Sequence, residues 1–481
     1  MLKEKQYKNY FYFSAGLANQ QISMRQFLNE PGHFFISDHL VALLYIVLLT
    51  IWAKWYDTRK HASNPFPGSA YFFKGFLVKI LGSYLFALVY FFLYNGGDTA
   101  AYFQNALIMN RLFVDNISGY FYLMWMPEIK WEDYFLYFNH NTGYPQMSIS
   151  YKDANHIVVK FATLLAPLGM FNFFSTSILF GAITYFFVFK AYKTFCLIVP
   201  DAQKFLAFAF LFFPSFVFWG GGIMKDTICV AAISQIVYSF YQIFILKKRN
   251  LLLIAAILIS VYILFITKPY LLFALIPGLV FWGAFGFIGN IKSSFIKFGL
   301  VPLMGVLALF ATFYLLNNAI ISVFGSTEMA LERAAITQQD LIRSEQYGSN
   351  FYDIGRYDPS ISGMIQKAPE AITVGLFMPF LWQAGSAITY FSALENFVLL
   401  LLTLYFIFKT RIYGIFTYTF RNPILFFCIS FALITAFIVG ITTANFGALV
   451  RYKIPLLPYF LCFFILLDRE VNKKVGTDFT P

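Results

Sequence analysis

The residues best suited to chemistry are ionisable groups at the ends of apolar runs: Asp98, the pair Lys225-Asp226, Lys268, Glu395 and Arg451. Asp98 lies in Tyr94-Asn95-Gly96-Gly97-Asp98-Thr99-Ala100, directly after a run long enough to cross a bilayer. The two glycines permit a tight turn, so the carboxylate projects into a groove beside lipid that still reaches water. A carboxylate in that position suits a general base taking a proton from an acceptor hydroxyl. Capping the helix that begins at Thr99 is the other use of the same residue, and the two are compatible.

Lys225-Asp226 follow Gly220-Gly221-Gly222 in a tight hairpin. Backbone N–H groups and Lys225 would hold a phosphate there, with Asp226 orienting the lysine. A glycine turn, a helix start and a snorkelling lysine explain the same residues equally well. The hairpin lacks the GKS/T ending of a Walker loop. Lys268-Pro269-Tyr270 joins two runs with almost no loop, which fixes Lys268 at the surface as a phosphate contact or an interfacial lysine. Arg451 offers a bidentate fork for phosphate oxygens, or an ion pair with an acidic neighbour. Glu395 reads as a structural partner for one of these cations. Arg333, Arg343, Arg356, Asp353 and Asp358 fit sugar or pyrophosphate contacts, or an ordinary solvated loop. The five histidines show no metal spacing, no Ser-His-Asp set assembles, and the four cysteines lie in or beside apolar runs as small hydrophobes.

Those residues must be positioned by membrane helices. The 481-residue chain is 59% hydrophobic and only 12% charged, about half the charged share of a soluble protein. Apolar runs fall at 35–53, 71–94, 171–190, 203–220, 227–246, 251–267, 270–289, 298–316, 391–408, 423–443 and 453–468. The expected fold is therefore an all-α polytopic membrane protein, a single integral membrane domain over 1–481 with about 11 transmembrane helices. The net charge of +12 sits mostly in short loops, including Lys54/Arg59/Lys60, Lys247/Lys248/Arg249 and Lys409/Arg411. Charge placed this way marks the cytoplasmic side, not a nucleic-acid surface. The C-terminus is then inside. The parity of the runs puts the N-terminus outside, against which Lys3, Lys5 and Lys8 argue; the first 30 residues fit an interfacial helix and show no cleavable signal.

Two long segments, 95–170 and 317–390, fall outside. The first holds aromatic stretches such as Tyr120–Met126, expected as interfacial helices. The second ends at Met378-Pro379-Phe380-Leu381-Trp382, which suits a re-entrant or surface-lying element.

Over most of its length the chain resembles polytopic, polyprenyl-phosphate-dependent sugar transferases of the GT-C type and the related polymerases of bacterial surface polysaccharides. The resemblance rests on Asp98 in the first large outer segment, the aromatic stretches after it, the hairpin from Pro214 to Asp226, and Arg451-Tyr452 followed by Pro455 and Pro458. It departs from that pattern in carrying one acid where many such enzymes carry a pair, and in placing the segment after the second run. The resemblance implies an enzyme of the bacterial inner membrane that uses a lipid-linked sugar donor and a glycan or lipid acceptor. Asp98 would be the base, Lys225, Lys268 and Arg451 would neutralise the leaving phosphate, and Asp226 and Glu395 would support them. No cofactor is implied; a divalent metal is compatible but not indicated. A transporter or flippase of lipid-linked sugars and a non-catalytic envelope scaffold are the alternatives. Ionisable groups gathered at one face, above apolar mid-spans, favour the enzyme.

Overall fold

A backbone in hydrocarbon must satisfy its polar groups within its own segment, so apolar runs of this length become helices. The computed structural model describes residues 36–61, 65–94, 96–150, 153–288, 351–355 and 357–477, with isolated positions between 303 and 336. Helix dominates them, and the one β contact among the described residues is a bridge between Phe351 and Asn445. Most of the run at 298–316, the first 30 residues, Arg333, Arg343 and Arg356 lie outside the described residues.

Helix α1 (Ile36–Lys60) runs on the rim and α2 (Phe72–Phe92) packs inside it. The first outer segment follows as α3 (Gly97–Asp115), α4 (Ile117–Trp125), α5 (Trp131–Tyr137) and α6 (Asp153–Leu165). The bundle resumes with α7 (Phe173–Ile198), α8 (Gln203–Ala207), α9 (Pro214–Trp219), α10 (Lys225–Phe240), α11 (Leu251–Thr267) and α12 (Pro269–Ile288). The second outer segment holds α13 (Ile361–Gln366) and α14 (Ala368–Phe377), and after them come α15 (Ala387–Arg421), α16 (Pro423–Thr442), α17 (Phe446–Tyr452) and α18 (Leu457–Thr477). Seven described helices are long and apolar enough to cross a membrane: α1, α2, α7, α10, α15, α16 and the joined α17–α18. Helices α11 and α12 are shorter apolar helices at two of the other expected spans. The chain is an integral membrane protein with lipid-facing helices.

The run at 203–220 differs from the expected single span. It is α8, a π-helical turn at Phe208–Phe212, and α9, broken at Phe213-Pro214. Proline lacks an N–H and disfavours helix in the residue before it, and Phe213 is extended at φ −65°, ψ 118°.

The second outer segment ends in a helix packed into the bundle. Helix α14 descends beside α16 so closely that a Cβ on Gly375 would lie 2.1 Å from the Ala436 carbonyl oxygen. A Cβ on Gly440 would lie 2.0 Å from that of Ala371, and this reciprocal small-residue contact lets the backbones touch. Asn396 Nδ2 donates to Pro379 O at 3.2 Å, nine residues into α15 and about 13 Å along it.

Both breaks are satisfied by side chains. Buried Lys453 donates to Leu376 O (3.4 Å), Met378 O (2.9 Å) and Asn396 Oδ1 (2.6 Å), closing the carbonyl end of α14. At the other break Ser215 N donates to Glu395 Oε1 at 2.9 Å. Glu395 and Asn396, neighbours on α15, thus each serve one interrupted backbone, as a low-dielectric interior demands.

Candidate functional site

The turn into α3 is made by Gly96 (φ 100°) and Gly97 (φ 51°), a left-handed stretch that a side chain would strain. Gly96 N donates to Tyr90 O at 2.8 Å, folding the turn back on α2. Gly96 itself takes the N-cap position, so Asp98 is freed from capping and stands in the first helical turn with its side chain 52% exposed.

Three other elements bring charge to the same place. Arg451, at the end of α17, points Nη2 at Asp98 Oδ2 (3.4 Å) and Nε at Asp226 Oδ2 (3.8 Å). Asp226, in the first turn of α10, is 1% exposed, and its other oxygen takes the Lys268 ammonium. Lys268 joins α11 to α12 and lies 3.9 Å from the centroid of the Tyr452 ring. Burial works against the Lys268 charge, but the Asp226 carboxylate more than offsets it and holds the lysine protonated. Lys225 pairs with no carboxylate among the described residues; its Nζ donates to Asn155 Oδ1 at 2.9 Å. Tyr102 donates to the same oxygen at 3.0 Å, its phenol held well above the ordinary range by burial and by nearby Asp98. Helices α3 and α6 run side by side, since Asn110 Nδ2 also donates to Thr163 O at 3.1 Å.

The structure therefore brings together Asp98, Lys225, Asp226, Lys268 and Arg451, from parts of the chain hundreds of residues apart. Three cations face two carboxylates, leaving one positive charge in excess. Lys225 is the cation without a carboxylate, and Asp226 serves Lys268 and Arg451 instead of orienting Lys225. Several buried polar atoms at the cluster have no hydrogen-bond partner among the described residues: Asp226 Oδ2, Arg451 Nε, Thr227 Oγ1, Tyr270 OH and Thr99 Oγ1. Two of these, Asp226 Oδ2 and Arg451 Nε, face each other as a loose ion pair at 3.8 Å.

Other expected residues lie elsewhere. Glu395 sits at the break before α9, where the cation whose field reaches it is Lys453. The glycines of Gly220–Gly222 are buried, and a Cβ on Gly222 would stand 1.9 Å from the Phe86 ring. They let the hairpin press against α2, which accounts for their type without a phosphate cradle. Asp353 Oδ1 accepts from Gly355 N (2.7 Å) and Asp358 Oδ2 from Ser360 Oγ (2.7 Å), each within its own turn. His140 is exposed. His156 is buried and its Nε2–H donates to Leu123 O at 3.1 Å. The four cysteines are buried and free. No group of three or more metal-ligating side chains occurs among the described residues.

Asn155 and Tyr102 belong to the cluster and were not singled out by sequence reasoning. Tyr452 stood beside Arg451 in a motif already marked. Asn155 carried no signal beyond being polar in an outer helix.

The part of the second outer segment around Tyr352 docks next to this cluster. Tyr352 N donates to Ala444 O at 2.8 Å, and its hydroxyl meets Thr443 Oγ1 at 2.6 Å, on the linker that leads into α17 and Arg451. Comparison with family models, with curated proteins and with solved structures finds no match for this chain.

Proposed function

We propose that the protein is a membrane glycosyltransferase or polysaccharide-assembly enzyme that takes a sugar from a polyprenyl-phosphate or polyprenyl-pyrophosphate donor at the outer end of the bundle. The single observation that carries this reading is the convergence of Asp98, Lys225, Asp226, Lys268 and Arg451 at one membrane-proximal point, with Asp98 half exposed. An acceptor hydroxyl oxygen would attack the anomeric carbon while its proton passes to the Asp98 carboxylate. The bond from that carbon to the phosphate oxygen breaks, and the lipid phosphate leaves with the electron pair. Lys225 and Arg451 face the growing phosphate charge, and Lys268 holds Asp226 behind them. A glycan or lipid is the acceptor, and the bacterial inner membrane is the setting the reading implies.

The test is turnover by the purified protein in lipid against a panel of polyprenyl-linked sugars. Transfer to an acceptor supports the reading. Saturable donor binding with no transfer and with donor movement between leaflets overturns it in favour of a flippase. One observation favours that second reading: the break before α9 is closed by Glu395 and the end of α14 by Lys453, which follows Arg451 closely in the chain. Interrupted helices of this kind line binding sites in transporters.

A further inference from the structure

The opposite end of the bundle carries a second concentration of charge, unrelated to the site above. The turn between α10 and α11 holds Lys247, Lys248 and Arg249 in succession. They line an open groove of about 590 Å³ together with Phe244, Leu251 and Ile254. Lysines from other elements crowd the same region. Lys60 lies near enough to Lys190 and Lys193, and Lys248 near enough to Lys193, for their charges to repel. Among the described residues no carboxylate lies within 4 Å of Lys190, Lys193, Lys247 or Lys248. Like charges gathered without counter-charge are relieved by a bound anion.

The rest of the lining says which anion. Phe244 is 57% exposed and Leu251 82% exposed, both beside the cations. Phe244 and Leu251 belong to apolar helices at the membrane boundary, so the groove opens onto acyl chain, and a lipid lays its chains there as its headgroup meets the lysines. We propose that this groove binds an acidic phospholipid, its phosphate held by Lys247, Lys248 and Arg249 and its chains lying along Phe244, Leu251 and Ile254.

The experiment places the protein in nanodiscs of phosphatidylcholine with a minor fraction of phosphatidylglycerol and counts retained lipid by native mass spectrometry. Wild type retains phosphatidylglycerol in preference to phosphatidylcholine. The variant Lys247→Asn, Lys248→Gln, Arg249→Gln loses that preference at least about tenfold, since three surface cations are removed together. Asparagine is chosen because Lys247 is left-handed, at φ 55°. Arg421→Gln, which removes an exposed cation elsewhere at the same end, leaves the preference unchanged. Should the triple variant fail to fold, Lys248→Gln alone is read in the same way, with a loss of about threefold expected. Equal retention by wild type and variant overturns the site, as does an equal loss in Arg421→Gln. Displacement of phosphatidylglycerol by glycerol 3-phosphate or inorganic phosphate overturns the lipid assignment in favour of a soluble anion.

Discussion

Replacing Asp226 with Asn tests the electrostatics of the outer site. Asp226 is 1% exposed and Lys268 6% exposed, so their pair is fully desolvated. The substitution keeps the shape and removes the charge. Arg451 still has Asp98 at 3.4 Å, but Lys268 loses its only carboxylate among the described residues. Breaking one side of a buried pair costs about 3–5 kcal/mol. The Tyr452 ring, 3.9 Å from the ammonium, is in contact before and after the substitution and leaves that cost unchanged. The net expectation is a destabilisation of about 3–5 kcal/mol. Adding Lys268→Met removes the stranded ammonium, and the double variant should return to within about 1 kcal/mol of wild type. Equilibrium unfolding in mixed micelles, followed by tryptophan fluorescence, measures both. A single variant within about 0.5 kcal/mol of wild type would refute the reasoning, because exposed pairs alone are that weak. So would a double variant no better than the single.

Three further outcomes are expected. Lys225→Ala should weaken donor binding about tenfold in a titration, with stability changed by less than about 1 kcal/mol, since it removes a single charge-assisted contact. Gly440→Ala should destabilise by about 1–3 kcal/mol in the same unfolding assay, because its Cβ would meet the Ala371 carbonyl oxygen at 2.0 Å and force α14 away from α16. His156 gives a pH signature: burial pushes its imidazole down to about 4, so the folded state keeps it neutral while the unfolded chain protonates near the ordinary histidine value. The unfolded state therefore binds more protons between pH 6.5 and 4, and stability falls as pH drops through that window, by on the order of 3 kcal/mol. His156→Leu should abolish that part of the slope, as read from unfolding midpoints across the range.

The charged cluster was legible because span parity assigns each loop to a side. Asp98, Lys225-Asp226, Lys268 and Arg451 all fall at the same end of alternating runs, and depth restricts them to a thin layer. The pairing within the layer was not legible. Asp226 precedes Lys268 by a whole helix, so nothing local favours it over adjacent Lys225, and only the packing of α10 on α11 decides. Glu395 was read as a partner for a cation, but its hydrogen bond is to the backbone N–H of Ser215, which exists only because the chain breaks at Phe213. Pro214 announced that break, yet an apolar run reads alike whether its helix is whole or interrupted. The triple glycine fits both a phosphate cradle and close helix contact, and only the position of Phe86 distinguishes them.

The central claim is that Asp98 is the base of a sugar transfer, and the most direct measurement compares wild type with Asp98→Asn in lipid. Asp98 is half exposed and tied to Arg451 at only 3.4 Å, so the substitution should change stability by less than about 1 kcal/mol. Single-turnover transfer from a polyprenyl-linked sugar should fall at least about a hundredfold, the scale of general base catalysis, with donor affinity retained. Equal transfer rates in the two proteins would contradict the claim and remove Asp98 from the mechanism.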